Sequence, residues 1–230
     1  MSDDRVHMVL PKSKALHPVY TRAELLADAA LHLIGIVSAL IAVPVLITLA
    51  AVWYGDASTV GAAVVYGTSL IGMFTCSACY HMIRHGRARQ ILRRLDHSAI
   101  YVKIAGTYTP FAVLLAGDSM LPILAGVWGA ALIGVVLRVV APGRMESVAL
   151  ALYFAMGWAV VVIGGPILAE ISQATFMLML TGGALYTVGF VFLFWSRLRY
   201  HNAIWHAFVL AASFVFYAAV VVEITRLAPA

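Results

Sequence analysis

Seven stretches of this chain are each long and apolar enough to cross a lipid bilayer, and short polar breaks separate them. They cover roughly 25–50, 58–82, 97–116, 120–140, 147–168, 173–195 and 203–225. A bilayer-spanning helix needs about 20 apolar residues. The breaks are Gly55-Asp56, a basic loop at 83–95, Gly117-Asp118, Pro142-Gly143, Glu170 and the segment from Arg197 to Tyr200. Links this short make successive helices run antiparallel. The expected fold is therefore an all-α, seven-helix membrane bundle in a single domain over residues 22–230, behind a polar tail at 1–21. Composition points the same way: 63% of the 230 residues are hydrophobic and 11% charged. Soluble domains carry about 25% charged residues, and so few charges cannot cover a water-exposed surface.

Local signals refine the boundaries. Thr21 and Glu24 have the spacing of a capping box, which places the start of the first helix near Arg22. The opening segment MSDDRVHMVLPKSK has neither an apolar h-region nor a small-residue cleavage site, so no signal peptide is expected. Gly157, Gly164, Gly165, Gly182, Gly183 and Gly189 fall in the fifth and sixth segments, where membrane helices would pack closely. Cys76 and Cys79 lie within one helix, so they read as packing residues and not as part of a disulfide framework.

The net charge is +5, but its distribution carries more information. Arg5, Lys12, Lys14 and Arg22 precede the first segment; Arg84, Arg87, Arg89, Arg93 and Arg94 follow the second. Arg138, Arg144, Arg197 and Arg199 fall on that same side, and the other side holds Arg226 with Asp56, Asp118 and Glu170. The positive-inside rule then puts the N-terminus in the cytoplasm and the C-terminus outside, the inverse of the rhodopsin-like arrangement. The arginines of the 83–95 loop set topology and meet anionic lipid headgroups, a better use for them here than nucleic acid.

With that topology, several polar side chains share one depth. His81 ends the second segment on the cytoplasmic side and Ser77 lies one turn before it; Asp96 begins the third, His206 lies near the start of the seventh, and His32 is about two turns into the first. Ionisable groups inside a membrane segment are functional candidates by default. Imidazoles with a carboxylate suit zinc, and a zinc site with an open position can activate water. Simpler roles exist for each: Asp96 as the N-cap of the third helix, and His81 and His206 as interfacial groups at helix ends. Lys103, seven residues past Asp96 on the same stripe, could pair with it or line a pocket for an anionic lipid group. His97 is offset from that stripe, His85 lies in the basic loop, and His7 and His17 belong to the tail.

Ser77-x3-His81, the run LDHSAIYVKIAGTYTPF from Leu95 to Phe111, GGALYTVG at 182–189 and AIWHAFVL at 203–210 resemble the haemolysin III family. That family is the bacterial branch of the progestin and adipoQ receptor superfamily, related to the alkaline ceramidases. The resemblance runs from ADAALHLIG in the first segment to the seventh. It implies seven helices with a cytoplasmic N-terminus, in the plasma (bacterial inner) membrane. It further implies a zinc ion near the cytoplasmic surface, held by His81 and His206 and contacted through water by Asp96, with Ser77 beside them. Two positions depart from the family pattern. The receptor branch has a His-x3-His pair whose first position is Asn202 here, and many bacterial relatives have a histidine where this chain has Phe216. His201 adjoins the vacant position and could swing in as a third ligand from an unwound helix start; within a regular helix, five residues turn through about 500°, leaving it about 140° from His206. Asn202 suits a hydrogen bonder behind the ligands better than a zinc ligand.

Three functions follow. One is a zinc-dependent hydrolase of membrane lipid amides or esters, in which Asp96 orients or deprotonates water and Ser77 donates to a developing oxyanion. The second is a non-enzymatic sensor or membrane-homeostasis protein with a structural metal. The third is a cytolytic haemolysin, which usually needs a soluble state that this chain is too apolar to have. Membrane lipids are the expected partners in each.

Overall fold

The computed structural model describes residues 20–83, 86–140, 146–163 and 165–228. These residues form eight α-helices: α1 (Arg22–Trp53), α2 (Ala57–Met82), α3 (Gly86–Leu115), α4 (Met120–Val140), α5 (Glu146–Ile163), α6 (Gly165–Glu170), α7 (Gln173–Phe194) and α8 (His201–Arg226). A single 3-10 turn, Gly117–Ser119, leads into α4. Six helical stretches are long and apolar enough to cross a membrane; α5 is apolar but shorter. Within the expected fifth segment, 147–168, α5 and α6 lie on either side of residue 164, which is outside the described residues.

The chain is turned inside out relative to a water-soluble protein. Leu26, Leu33, Leu40, Val52, Val140 and Val162 face outward, whereas Asp28, His32, Asp96, Lys103, Arg138 and His206 are buried. Helix α3 is central and packs against α2, α4, α5, α6 and α8. Its most apolar stretch is 67% buried, against 28% for that of α1. Helix α1 packs on both α2 and α8, so the first and last helices close the bundle.

The basic segment is not a loop. From Gly86 onward it forms the first turns of α3, and Asp96 is an interior helical residue, not an N-cap. Its sequence, GRARQILRRLD, contains mainly good helix formers after the glycine. Thirty residues rise about 45 Å, longer than the roughly 30 Å hydrocarbon core, so the arginine-bearing turns can extend into the headgroup region. Residues 84 and 85, including His85, and the tail with His7 and His17 lie outside the described residues.

Helix α1 begins where the capping box requires. Thr21 Oγ1 accepts from the Glu24 N–H, and Glu24 Oε2 accepts from the Thr21 N–H at 2.8 Å. Glu24 also uses its second oxygen: Oε1 accepts from the Tyr200 N–H at 3.0 Å. Tyr200 has φ 62 and is the N-cap of α8. A non-glycine residue held in this region stores backbone strain that neighbouring contacts must maintain. The cap of α1 therefore fixes the start of α8, and with it Asn202 and His206. At the other end of the bundle, Glu223 accepts from the Ser172 N–H at 3.0 Å, and Arg226 donates to Glu223 and to the Glu170 carbonyl. There the Ser58 hydroxyl and the Thr59 N–H, capping α2, hold the Asp56 carboxyl down at about 2.

Close packing involves three of the glycines singled out by sequence, Gly182, Gly183 and Gly189, and others besides. A Cβ at Gly106 would stand 2.3 Å from Ser69 Oγ, which brings α2 and α3 together. Gly182 and Gly189 do meet α8 closely, but Gly157 and Gly165 face open space. Gly157 lines the central cavity, where its missing side chain makes room.

Candidate metal centre and lipid cavity

Four side chains converge where α1, α2 and α8 meet: Asp28 and His32 from α1, His81 from the last turn of α2, and His206 from α8. One candidate ligand atom from each lies within 4.8 Å of all the others. The ring centroids of His32, His81 and His206 are separated by 4.4, 4.5 and 5.1 Å. Asp28 is the hub. Its Oδ1 is 2.5 Å from His206 Nδ1, and its Oδ2 is 3.3 Å from His81 Nδ1 and 3.7 Å from His32 Nε2.

Asn202 occupies the vacancy noted in the sequence. Its Nδ2 donates to Asp28 Oδ2 at 3.2 Å and lies 3.2 Å from His81 Nδ1. It thus behaves as the expected hydrogen bonder behind the ligands. His201 turns elsewhere, with Nε2 3.2 Å from the Tyr20 hydroxyl, and is not one of the four.

The donor set fits a metal ion. Tetrahedral zinc with bonds of about 2.0–2.2 Å sets its ligands roughly 3.3–3.5 Å apart, within small adjustments of these positions. His32 Nε2 is buried and has no hydrogen-bond partner. Such an orphaned ring nitrogen is costly unless something such as an ion takes its lone pair. Two arrangements of the same four residues are chemically distinct. If Asp28 binds the ion, three imidazoles and a carboxylate close the shell. If it instead accepts from the Nδ1–H groups of His81 and His206, it orients them, and a coordination position stays open.

Sequence reasoning brought His81, His206 and His32 to one depth correctly but passed over Asp28. A signal was there. Asp28 and His32 are four residues apart on one helical face, and Asp28 is a carboxylate one turn inside an apolar helix.

Asp96 and Ser77 are outside the group of four but face it. Asp96 is buried in α3, hydrogen-bonds with Ser77, and has His81, His32 and Asp28 as ionisable neighbours. All six residues line one cavity of about 800 Å³, bounded mainly by α1, α2, α3, α5, α7 and α8. Its wall away from the polar group is apolar, with Phe111, Leu168, Met179, Leu180 and Val209. His97 lines it as well, and its carbonyl accepts from the Tyr153 hydroxyl at 2.6 Å. Cys76 and Cys79 are half-buried free thiols and do not join the metal group.

Comparison with known proteins agrees with this architecture. Residues 23–217 match the family described as haemolysin-III related. The chain belongs to the haemolysin III family. It is 38% identical over 196 residues to the haemolysin-3 homologue of Bacillus subtilis (strain 168), covering 85% of this chain and 92% of the relative. It is also 38% identical over 193 residues to haemolysin-3 of Bacillus cereus, covering 83% and 87%. The matched span includes all four residues of the metal group, Asp96, Ser77 and Asn202. This is therefore a multi-helix haemolysin III membrane protein whose buried Asp/His group could hold a metal ion.

Proposed function

We propose that this protein is a zinc-dependent hydrolase of membrane lipid amides or esters. In this reading it has seven spans in the bacterial inner membrane, α5 with α6 making the seventh, and its N-terminus is cytoplasmic. The observation that carries it is the juxtaposition of three imidazoles and two buried carboxylates at one end of an apolar cavity large enough for an acyl chain. Pockets for ligands of this kind measure about 300–1,000 Å³ and are mostly apolar, with a few polar groups converging.

The residues divide the work. His32, His81 and His206 would hold the zinc, and Asp28 would fix the tautomer of His81 and His206 by accepting from Nδ1. When bound, zinc supplies Lewis-acid polarisation of a carbonyl. Asp96, which is not needed as a ligand, is placed to take a proton from water and return it to the leaving group. Ser77 would donate to the oxygen on which charge develops. The apolar wall would hold the acyl chain and exclude bulk water.

The decisive measurement is fatty-acid release by purified protein from a panel of ceramide-like amides and esters, alongside zinc analysis. We expect chelator-sensitive release that drops at least a hundredfold in Asp96→Asn while zinc stays bound. Zinc-loaded wild type with no turnover across the panel would sink the hydrolase reading.

A second reading rests on the donor atoms of all four residues lying within 4.8 Å of one another, which is compatible with a closed His3Asp shell. There the metal is structural and the protein is a sensor or homeostasis component. His81→Ala would then lower thermal stability with no activity to lose. The lytic role suggested by the relatives' names fits less well, because the outward face is already that of a permanently inserted protein.

A further inference from the structure

Lys103 lies near the middle of α3, two turns beyond Asp96, and is 3% exposed. It lines the cavity. Its Nζ is 4.9 Å from the centroid of the Phe216 ring and 5.3 Å from that of Tyr186. Among the described residues, Nζ has no hydrogen-bond or ion-pair partner and faces the cavity. Aromatic faces contribute about 2 kcal/mol to a desolvated cation. Removing an ammonium from water costs several kcal/mol, so the rings alone do not offset it. A buried cation of this kind is completed by an anion that enters the cavity.

The surroundings of the amine are rigid. Phe216 is wedged against α7, where a Cβ at Gly182 would come within 2.6 Å of its ring. Tyr186 is held by a 2.9 Å hydrogen bond between its hydroxyl and Ser213 Oγ. Phe216 thus holds an aromatic face beneath the ammonium. Arg89, Arg93 and Arg138 line the same cavity, but the contacts of Lys103 Nζ are aromatic faces, and one ammonium set among rings suits a monoanion on a slender apolar chain, not a dianionic phosphate.

We propose that Lys103 binds the carboxylate of a single-chain fatty acid lodged in the cavity. The site is about 10 Å along α3 from Asp96, so a carboxylate there stands away from the metal group while its chain fills space that an acyl substrate would use. In the hydrolase reading this is a point of product control. The inference rests on the lipid character of the cavity and is independent of catalysis.

The test is equilibrium binding of radiolabelled palmitate and of hexadecanol, its uncharged counterpart, to purified protein in nanodiscs. Wild type should bind palmitate at least tenfold more tightly than hexadecanol. Lys103→Met should bring the two within about twofold, and Lys103→Arg should keep the preference. His81→Ala should keep it too while losing zinc, which separates this site from the metal centre. Equal wild-type affinities, or no palmitate binding, overturn the proposal without any variant. So does an unchanged preference in Lys103→Met. A Lys103-dependent preference in a protein that hydrolyses nothing leaves the inference standing and removes only the catalytic reading.

Discussion

Asp28 determines what kind of metal site the buried Asp/His group could form. Its two oxygens reach three imidazoles and the Asn202 amide, and an asparagine in its place could not accept from His81 and His206 with both oxygens. If Asp28 orients ligands, Asp28→Asn should weaken zinc binding 10–100-fold and leave one ion per chain, the usual effect of losing a supporting carboxylate. If it closes the shell, the ion should be lost altogether. Titration against a chromophoric chelator of known affinity reads the difference. Asn202→Leu removes the shared donor and should give the milder loss in either case. His201→Ala should leave zinc affinity unaltered, since its ring faces Tyr20.

At the scale of the helices, contact distance separates glycines that sequence cannot tell apart. Gly106→Ala forces a methyl group against Ser69 across the α2–α3 contact and should cost about 1–3 kcal/mol by overpacking. Gly72→Ala meets nothing within 4 Å and should be neutral or stabilising by up to about 1 kcal/mol through helix propensity. Thermal unfolding of the two variants in one detergent gives both signs. The same distinction explains what was legible in the sequence. Apolar length located six helices able to span a membrane, the Thr21–Glu24 spacing located the start of α1, and shared depth brought His32, His81 and His206 together. Three features needed coordinates. Arginines mark a membrane boundary by charge but are good helix formers, so the 83–95 segment reads as a loop and yet is helix from Gly86 onward. Asp28 was hidden because a lone carboxylate has meaning only once its neighbours from α2 and α8 are known. Which face of a helix meets its partner depends on packing between segments distant in sequence, as Gly106 and Gly157 illustrate.

At the scale of the molecule, the charge asymmetry makes a claim that fusions can test. An alkaline phosphatase joined after Ala230 should be active and a green fluorescent protein there dark, with the reverse after Arg144. A further expectation concerns cohesion. The first and last helices meet at the seam between α1 and α8, and the metal group lies across it, with two residues from α1, one from α2 and one from α8. The Glu24–Tyr200 bond reinforces the same seam. An ion that binds only the folded state adds RT ln(1 + [L]/Kd), about 2.7 kcal/mol at a hundredfold excess over Kd. For a chain of this size that corresponds to roughly 5–10 °C in the unfolding midpoint. Chelation should therefore lower the wild-type midpoint by about that much, and readded zinc should restore it. His206→Ala should start low and hardly respond, because it lacks the ligand from α8. A wild-type midpoint that ignores both chelator and zinc, measured on protein shown to carry the ion, would mean that packing and capping alone hold the seam closed.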